Sequence, residues 1–196
     1  MLIVDDQRVA RSAVWMMLGC QRQIRVIATA ESSNDALSLA NEHKPQACVV
    51  SATLDDWPGL ARRLKQIDGP PRMLIYDAAE DARVIGAAII AGADGTLRRD
   101  ARPEELADVI RRVTSGAMLF PSLKPGEFRE LLDCVDDHDR AIVAMLLERT
   151  HPDHIAGILG LSAHALRRRR QAILQQLNAL RTSDANRRHP RSEPHA

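Results

Sequence analysis

Short apolar runs alternate with helix-like apolar spacing along the first 118 residues. The short runs favour buried strands and lie at residues 2–4, 24–30, 47–51, 73–76 and 95–98. Spacing of three and four residues between apolar positions predicts helices at 8–20, 33–42, 81–91 and 103–115. Five strands alternating with helices predict an α/β fold with a doubly wound, five-stranded parallel sheet of flavodoxin-like order. Its active crevice is expected at the carboxyl ends of the strands.

A different pattern begins after the last of these helices. Ile155, Ile158 and Leu159 are expected on one face of a short helix that ends at Gly160, which accepts positive backbone angles. Ser162 suits the N-cap of the next helix, whose apolar stripe comprises Leu166, Ile173, Leu174 and Leu177. Two helices joined by a glycine-containing turn, the second with arginines at 167 to 170, are what a reader of the DNA major groove requires.

The rest of the chain divides around this helix pair. Residues 119–133 are predicted to be a linker, because Pro121, Pro125 and Gly126 interrupt any continuous helix. Residues 134–181 are predicted to form a small all-α helix-turn-helix domain, and the polar, proline-containing residues 182–196 are predicted to be a disordered tail.

Composition and charge narrow the function classes. The 45% hydrophobic content supports a core in each domain. The few aromatic residues (two Trp, one Tyr, two Phe) argue against single-strand and RNA binders, which stack bases on aromatic rings. Net charge is only +1, but residues 161–196 carry eight arginines against two acids, whereas residues 122–160 carry four bases against eight acids. The positive field is therefore concentrated on the second helix of the pair and the tail.

No metal, cofactor or membrane association is expected. The cysteines are widely separated and form no CxxC pair: Cys20, Cys48 and Cys134. The histidines near the helix pair fit no standard metal site: His151, His154 and His164. No apolar stretch reaches about 18 residues and no signal peptide opens the chain, which predicts a cytoplasmic protein.

Residues 135–177 resemble a LuxR-type helix-turn-helix domain of NarL/FixJ-type response regulators. The resemblance is carried by the Ile-Ala pair at 155–156, the Leu-Gly-Leu-Ser turn at 159–162 and the spacing to Leu177. It implies sequence-specific binding to double-stranded DNA. The base-contacting positions of the family correspond to Arg167, Arg168 and Gln171; His164 is grouped with them, and Arg169 and Arg170 are expected nearer the DNA backbone or the helix packing. The family usually has Lys, a small or apolar residue and His at 167, 168 and 169, so an unusual DNA sequence is expected.

Residues 1–118 are similar to the receiver domain of the same family. The resemblance rests on four short motifs: Val4-Asp-Asp6, Lys44-Pro45, Ala91-Gly-Ala-Asp-Gly95 and Arg102-Pro-Glu-Glu-Leu106. A receiver needs a phosphoacceptor aspartate after its third strand, two acids that hold Mg²⁺, a Thr or Ser after its fourth strand and a lysine after its fifth.

The chain departs from this pattern at the crevice. The acceptor position is Ser51, six residues after Pro45; the hydroxyl position is Asp77 and the lysine position is Arg99. Only the acidic pair Asp5 and Asp6 is retained. A serine hydroxyl cannot form the acyl phosphate of this family. Asp55 and Asp56 lie four and five residues beyond Ser51, with Asp55 up to ~13 Å away in an extended chain, and a register anchored on Pro58-Gly59 puts Leu54 at the site. The remaining acids and Arg99 are expected to form an internal charge network.

The sequence therefore predicts an atypical response regulator that binds specific DNA sequences as a homodimer on two half-sites to control transcription. For the receiver, conventional phosphorylation is disfavoured. Two roles of the receiver remain possible: a purely structural relic, or a pocket that is regulated by a small molecule or a protein. An alternative is a protein-interaction module in which DNA binding is secondary. An enzyme is not expected, because the sequence offers no nucleophile at a suitable strand end, no phosphate-cradling glycine loop and no base paired with Ser51.

Overall fold

The computed structural model describes residues 1–77, 81–98 and 100–188. The chain divides into two compact units, Met1–Lys124 and a second unit that begins at Pro125. The boundary falls inside the segment expected to be a linker.

The first unit is a five-stranded parallel sheet flanked by helices, which confirms the predicted fold class. Its elements are β1 (Leu2–Val4), α1 (Arg8–Gly19), β2 (Ala28–Ala30), α2 (Ser33–His43), β3 (Ala47–Ser51), α3 (Trp57–Leu64), β4 (Arg72–Tyr76), α4 (Ala82–Ala91), β5 (Gly95–Leu97) and α5 (Pro103–Thr114). The strand order is β2-β1-β3-β4-β5, with every neighbouring pair parallel. This is the flavodoxin-like order, in which the carboxyl ends of β1, β3 and β4 lie side by side.

One face of the sheet packs against α1 and α5. Its buried core joins strand residues to Val14 and Leu18 of α1 and to Leu106 and Ile110 of α5; the strand residues are Ile3, Val49, Leu74, Tyr76 and Leu97. Strands with both faces covered read as nearly continuous apolar runs. That property made β1, β3 and β4 recognisable from the sequence.

Two features of the first unit differ from the expectations. Helix α3 was not predicted, because Asp-Asp-Trp-Pro-Gly looks like a turn; Pro58 instead occupies the first helical turn, where its missing N–H is tolerated. Trp57, Leu60 and Leu64 of α3 are buried. The second strand spans only Ala28–Ala30 rather than 24–30, since β1 offers it only three paired residues.

The second unit contains four helices within its described residues: α6 (Pro125–Asp133), α7 (Asp137–Leu147), α8 (Pro152–Ile158) and α9 (Ala163–Arg188). The expectation of a linker over 119–133 is wrong for its second half, where α6 forms. Pro125 begins this helix rather than interrupting it, and Leu131 is fully buried.

The predicted disordered tail, residues 182–196, begins too early. Helix α9 continues to Arg188, because no Gly or Pro falls between 163 and 188 and the segment is rich in Ala, Leu, Arg and Gln. Residues 182–188 are therefore helical. The remainder of the expected tail, 189–196, lies outside the described residues.

The buried carboxylate of Asp94 bonds to residues at the end of α3 and on β4. Asp94, immediately before β5, is 5% exposed. Its Oδ2 lies 2.6 Å from Lys65 Nζ at the end of α3 and accepts the Met73 N–H of β4 at 2.7 Å, while its Oδ1 accepts Arg72 at 2.8 Å. Both carboxylate oxygens thus have donors, which is the condition for burying such a charge.

The Cys48 thiol in β3 should make stability fall with rising pH. Cys48 is fully buried, and burial raises the pKa of its thiol from 9.0 to about 12. The folded protein therefore keeps the proton, while the unfolded chain loses it from about pH 9 upward, so stability is complete below pH 9 and is lost as pH rises toward 12. The expected loss is on the order of 1 kcal/mol by pH 10.

Urea unfolding of the wild type and of Cys48→Ala between pH 7 and pH 10.5 measures this contribution, because the other titrating groups are common to both proteins. The wild-type curve should fall more steeply above pH 9. Parallel curves would contradict the assignment.

Candidate DNA-binding surface and receiver crevice

The carboxyl edge of the sheet carries four of the residues singled out by the sequence. Asp5 and Asp6 follow β1, Ser51 ends β3 and Asp77 follows β4 with a positive φ of 59°. The sheet order places these strand ends next to one another. Arg99, expected at the lysine position, lies outside the described residues.

The two retained acids have different surroundings. Asp5 is 1% exposed, whereas Asp6 is exposed. Asp5 Oδ1 accepts the backbone N–H of Gln7 at 2.7 Å, and the Asp5 carbonyl accepts Arg11 of α1 at 2.6 Å. Arg11 also lies 3.4 Å from Glu31 Oε2. Arg11 is a cation at this edge that sequence reasoning missed. It could have been found from its place on the first turns of the helix that follows the acidic pair.

The Ser51 side chain forms hydrogen bonds with the loop that follows it. Its side chain is fully buried, and Oγ lies 2.8 Å from Thr53 Oγ1 and accepts the Thr53 N–H at 3.2 Å. Thr53 is a second residue that the sequence reading missed. A buried hydroxyl held in this way offers neither a carboxylate nor an accessible oxygen for phosphate transfer.

The residues that follow Ser51 have different surroundings. Leu54 is buried, and Asp56 Oδ2 forms an ion pair with Arg63 of α3 at 2.6 Å. Asp55 is exposed. Within the described residues, no group of three His, Cys, Asp or Glu side chains is arranged to hold a metal ion.

In the second unit, α8 and α9 meet through a tight turn. Gly160 has a φ of 61°, and the Leu161 N–H donates to the Ala156 carbonyl at 2.9 Å. Ser162 Oγ accepts the Ala165 N–H at 3.1 Å and so caps α9. The positive φ explains why glycine stands in the turn.

Helix α9 has a buried face and an exposed face. The expected apolar stripe is buried: Leu166, Ile173, Leu174 and Leu177. From α8, Ile155 and Ala156 are buried as well, but Ile158 is 69% exposed. The expectation that Ile158 shares the core face of Ile155 is wrong, because Ile158 ends a helix of only seven residues and lies where the chain enters the Gly160 turn.

The exposed face of α9 carries four polar side chains, which we call the exposed stripe: His164, Arg167, Arg168 and Gln171. They are spaced i, i+3, i+4 and i+7, which places them on one side of a helix. One ligand surface could therefore meet all four.

The other two arginines of the run are set apart from this stripe. Arg169 donates to the His138 carbonyl at 3.2 Å and to Asp139 Oδ1 at 3.3 Å, and the Asp139 side chain is only 13% exposed. Arg170 is partly buried. Arg169 therefore joins α9 to α7. Sequence reasoning did not find Asp139 as its partner, because the two residues lie 30 positions apart.

Comparisons with known proteins agree with this architecture. Residues 1–111 match the response regulator receiver domain. The transcriptional regulatory protein UhpA of Salmonella typhimurium is 25% identical over 89% of each chain. A LuxR-family two-component response regulator from Aurantimonas has a TM-score of 0.57 at 25% identity, over 67% of this chain and 94% of its own.

The likeness to solved structures extends into the second unit. A structure of two RcsB dimers bound to two parallel DNAs aligns over 90% of each chain with a TM-score of 0.56; at 12% identity this likeness concerns the fold. Among the residues with described structure, no helix is both long and apolar enough to span a membrane. The receiver match covers more than half of the sequence, and the sheet has the receiver order of strands. The chain belongs to the response regulator family.

Proposed function

We propose that this response regulator controls transcription by binding specific sequences in double-stranded DNA through the exposed stripe of α9. The observation that carries the proposal is the stripe itself: His164, Arg167, Arg168 and Gln171 lie exposed on one side of a helix whose opposite side is the core. Arginine and glutamine are suited to this task, because they form paired hydrogen bonds with guanine and adenine edges in the major groove.

The positions of the other charges support this proposal. Arg169 is bonded to α7, whereas Arg167 and Arg168 are exposed and have their side chains available for DNA. The acids Asp136 and Asp137 at the start of α7 form bonds within the protein, with Gln176 and Arg140. UhpA is a transcriptional regulatory protein, and RcsB dimers bind DNA, which fits the same role here.

We propose further that phosphorylation of an aspartate is not the activating signal. Ser51 occupies the acceptor position, is fully buried and bonds to Thr53. A serine at this place cannot form the acyl phosphate on which the usual receiver switch depends. The receiver unit then acts as a scaffold or responds to a different signal, either a small molecule or a protein.

The experiment for this proposal is DNA affinity against salt concentration, measured for the full chain on genome-selected fragments and on random DNA. We expect the logarithm of the affinity to fall linearly with the logarithm of salt concentration, because lysine and arginine contacts release counterions from phosphates. Beryllium fluoride with Mg²⁺, a phosphate mimic, should leave affinity unchanged.

The matched control for the phosphate mimic is Ser51→Asp, which restores a carboxylate at the acceptor position. A saturable response of the wild type to beryllium fluoride would contradict phosphate independence, and a response confined to Ser51→Asp would support it. Tight salt-independent binding, or no preference for the selected fragments, would contradict DNA reading.

We also propose that two copies act together. One helix of this kind buries too little surface for tight specific binding, so paired half-sites are expected. Helix α1 exposes three large apolar side chains that suit self-association: Val9 (84% exposed), Trp15 (53%) and Met16 (60%). Sedimentation at micromolar concentration should give a dimer, which Met16→Glu should convert to a monomer.

A different partner protein on the α1 surface is the alternative role of the receiver unit. It would leave the isolated protein monomeric and its DNA binding weak. The same sedimentation and affinity measurements therefore separate the two possibilities.

A further inference from the structure

A cavity of about 360 Å³ opens between α1, the ends of β4 and β5, and the segment that leads into α5. This volume lies at the lower end of the ~300–1,000 Å³ typical of small-molecule sites. Most of its lining is apolar, with Met17 of α1 and Leu97 of β5 among the walls. The cavity is separate from the receiver crevice described above, because Asp5, Asp6, Ser51 and Asp77 do not line it.

Small side chains create this space. Ala10 and Ala13 of α1 line one wall, and Ala101 before α5 lines another. Protein interiors are close-packed and leave few voids larger than a water molecule. Larger apolar residues at these three positions would close the gap, so the alanines keep a pocket open beside the core.

The ring of Tyr76, the last residue of β4, forms part of this wall, and its hydroxyl lies buried behind the surface. Its side chain lines the cavity and is only 6% exposed. Its hydroxyl is buried and has no hydrogen-bond partner among the residues that the structure describes. Buried hydroxyl groups are almost always hydrogen-bonded, because leaving one unpaired is unfavourable. A bound molecule that moved this ring slightly aside and placed an oxygen against its hydroxyl would supply the missing partner.

The charge at the cavity rim indicates what kind of molecule fits. Arg98 lines the cavity, but its guanidinium forms two hydrogen bonds with Asp100, at 2.8 and 2.7 Å. These bonds hold the pKa of the Asp100 carboxyl below its usual value, so both partners stay charged and cancel. An anionic ligand would have to compete with Asp100 for Arg98. A neutral ligand would not.

We propose that this cavity is a binding site for a small, neutral and mostly apolar molecule with one hydrogen-bond-accepting oxygen, which the Tyr76 hydroxyl contacts. Such a site goes beyond DNA binding and needs neither phosphate nor a metal ion. It gives the receiver unit a position at which a metabolite-sized carbonyl compound would bind and hold α1 against β4 and β5.

The test uses the neutral naphthalene dye prodan, whose single ketone accepts hydrogen bonds and whose fluorescence shifts to the blue in apolar surroundings. Titration into the full-length protein should give saturable, blue-shifted emission with one dye per chain. Tyr76→Phe should weaken binding about three- to tenfold, the worth of one net hydrogen bond, and should shift the bound emission further to the blue because the ketone loses its donor.

Two filling variants locate the dye. Ala13→Leu and Ala101→Leu fill the cavity from two different elements, and each should abolish the saturable signal. A filling variant is interpreted only if circular dichroism shows that it is folded. Ser12→Leu adds the same side chain to the exposed side of α1 and should leave binding unchanged. The proposal is overturned if no saturable binding occurs, if both folded filling variants still bind, or if Met16→Gln on the exposed side of α1 removes the signal instead.

Discussion

Replacing Asp94 with alanine is expected to lower the free energy of unfolding of the first unit by about 3 kcal/mol. The substitution removes the acceptor of the buried Met73 N–H, and an unsatisfied buried donor costs about 1–3 kcal/mol. It also removes the ion pairs with Lys65 and Arg72. Their side chains are 25% and 45% exposed, so both cations can return to water and the loss stays below that for a fully buried pair.

Chemical denaturation followed by circular dichroism measures this effect, and a fall in melting temperature of roughly 10 °C should accompany it. The matched control is Asp108→Ala on α5. Asp108 also pairs with two arginines, Arg111 and Arg112, but its side chain is 52% exposed, and exposed pairs contribute about 1 kcal/mol or less. Equal losses of stability in the two variants would show that the burial of Asp94 does not determine how much it contributes to the free energy of unfolding.

Asp94 also shows where sequence reasoning stopped. The Ala-Gly-Ala-Asp-Gly motif was used only to support the resemblance to receivers, and the network around its aspartate was not foreseen. Its partners lie 22 and 29 residues away on other elements. Apolar periodicity predicts which face of an element is buried, but it does not identify the donors that a buried carboxylate will meet. The fold class followed from periodicity, whereas this network required three-dimensional contacts.

The same limit applies to the arginine run of α9. The buried stripe of Leu166, Ile173, Leu174 and Leu177 followed from helical spacing. The different environment of Arg169 depends on Asp139, which reaches α9 only after α7 has packed. The sequence therefore predicted the exposed and buried sides of the helix, but the partner of Arg169 could be identified only from the folded structure.

Errors were concentrated at prolines and glycines. Pro125 was read as an interruption, and no helix was predicted around Pro58, although each proline lies in the first turn of a helix. A proline at that place has no intrahelical hydrogen bond to lose, so its effect depends on where the helix begins, and a sequence alone leaves that boundary uncertain by a few residues. The cavity beside Tyr76 was beyond sequence reasoning for another reason: it arises from alanines on different elements whose separation only the folded chain defines.

Replacing Arg167 and Arg168 together with alanine is expected to reduce affinity for a selected DNA site by about 10²–10⁴-fold. A bidentate contact between an arginine and a base contributes about 1–3 kcal/mol of discrimination, and both side chains are exposed on the same side of α9. The fold should be unaffected, since neither residue contributes to the buried face. Fluorescence anisotropy at fixed salt concentration, on the selected site and on random DNA of equal length, measures the loss.

The comparison between the two DNAs decides the role of the stripe. If Arg167 and Arg168 read bases, affinity for the selected site falls much further than affinity for random DNA, and the preference disappears. Equal losses on both DNAs would make the two arginines phosphate contacts. Arg129→Ala on α6 removes an exposed arginine from the same unit and should change neither affinity by more than a fewfold.

Arg169→Ala should act differently again, lowering the stability of the second unit because its bonds to α7 are lost.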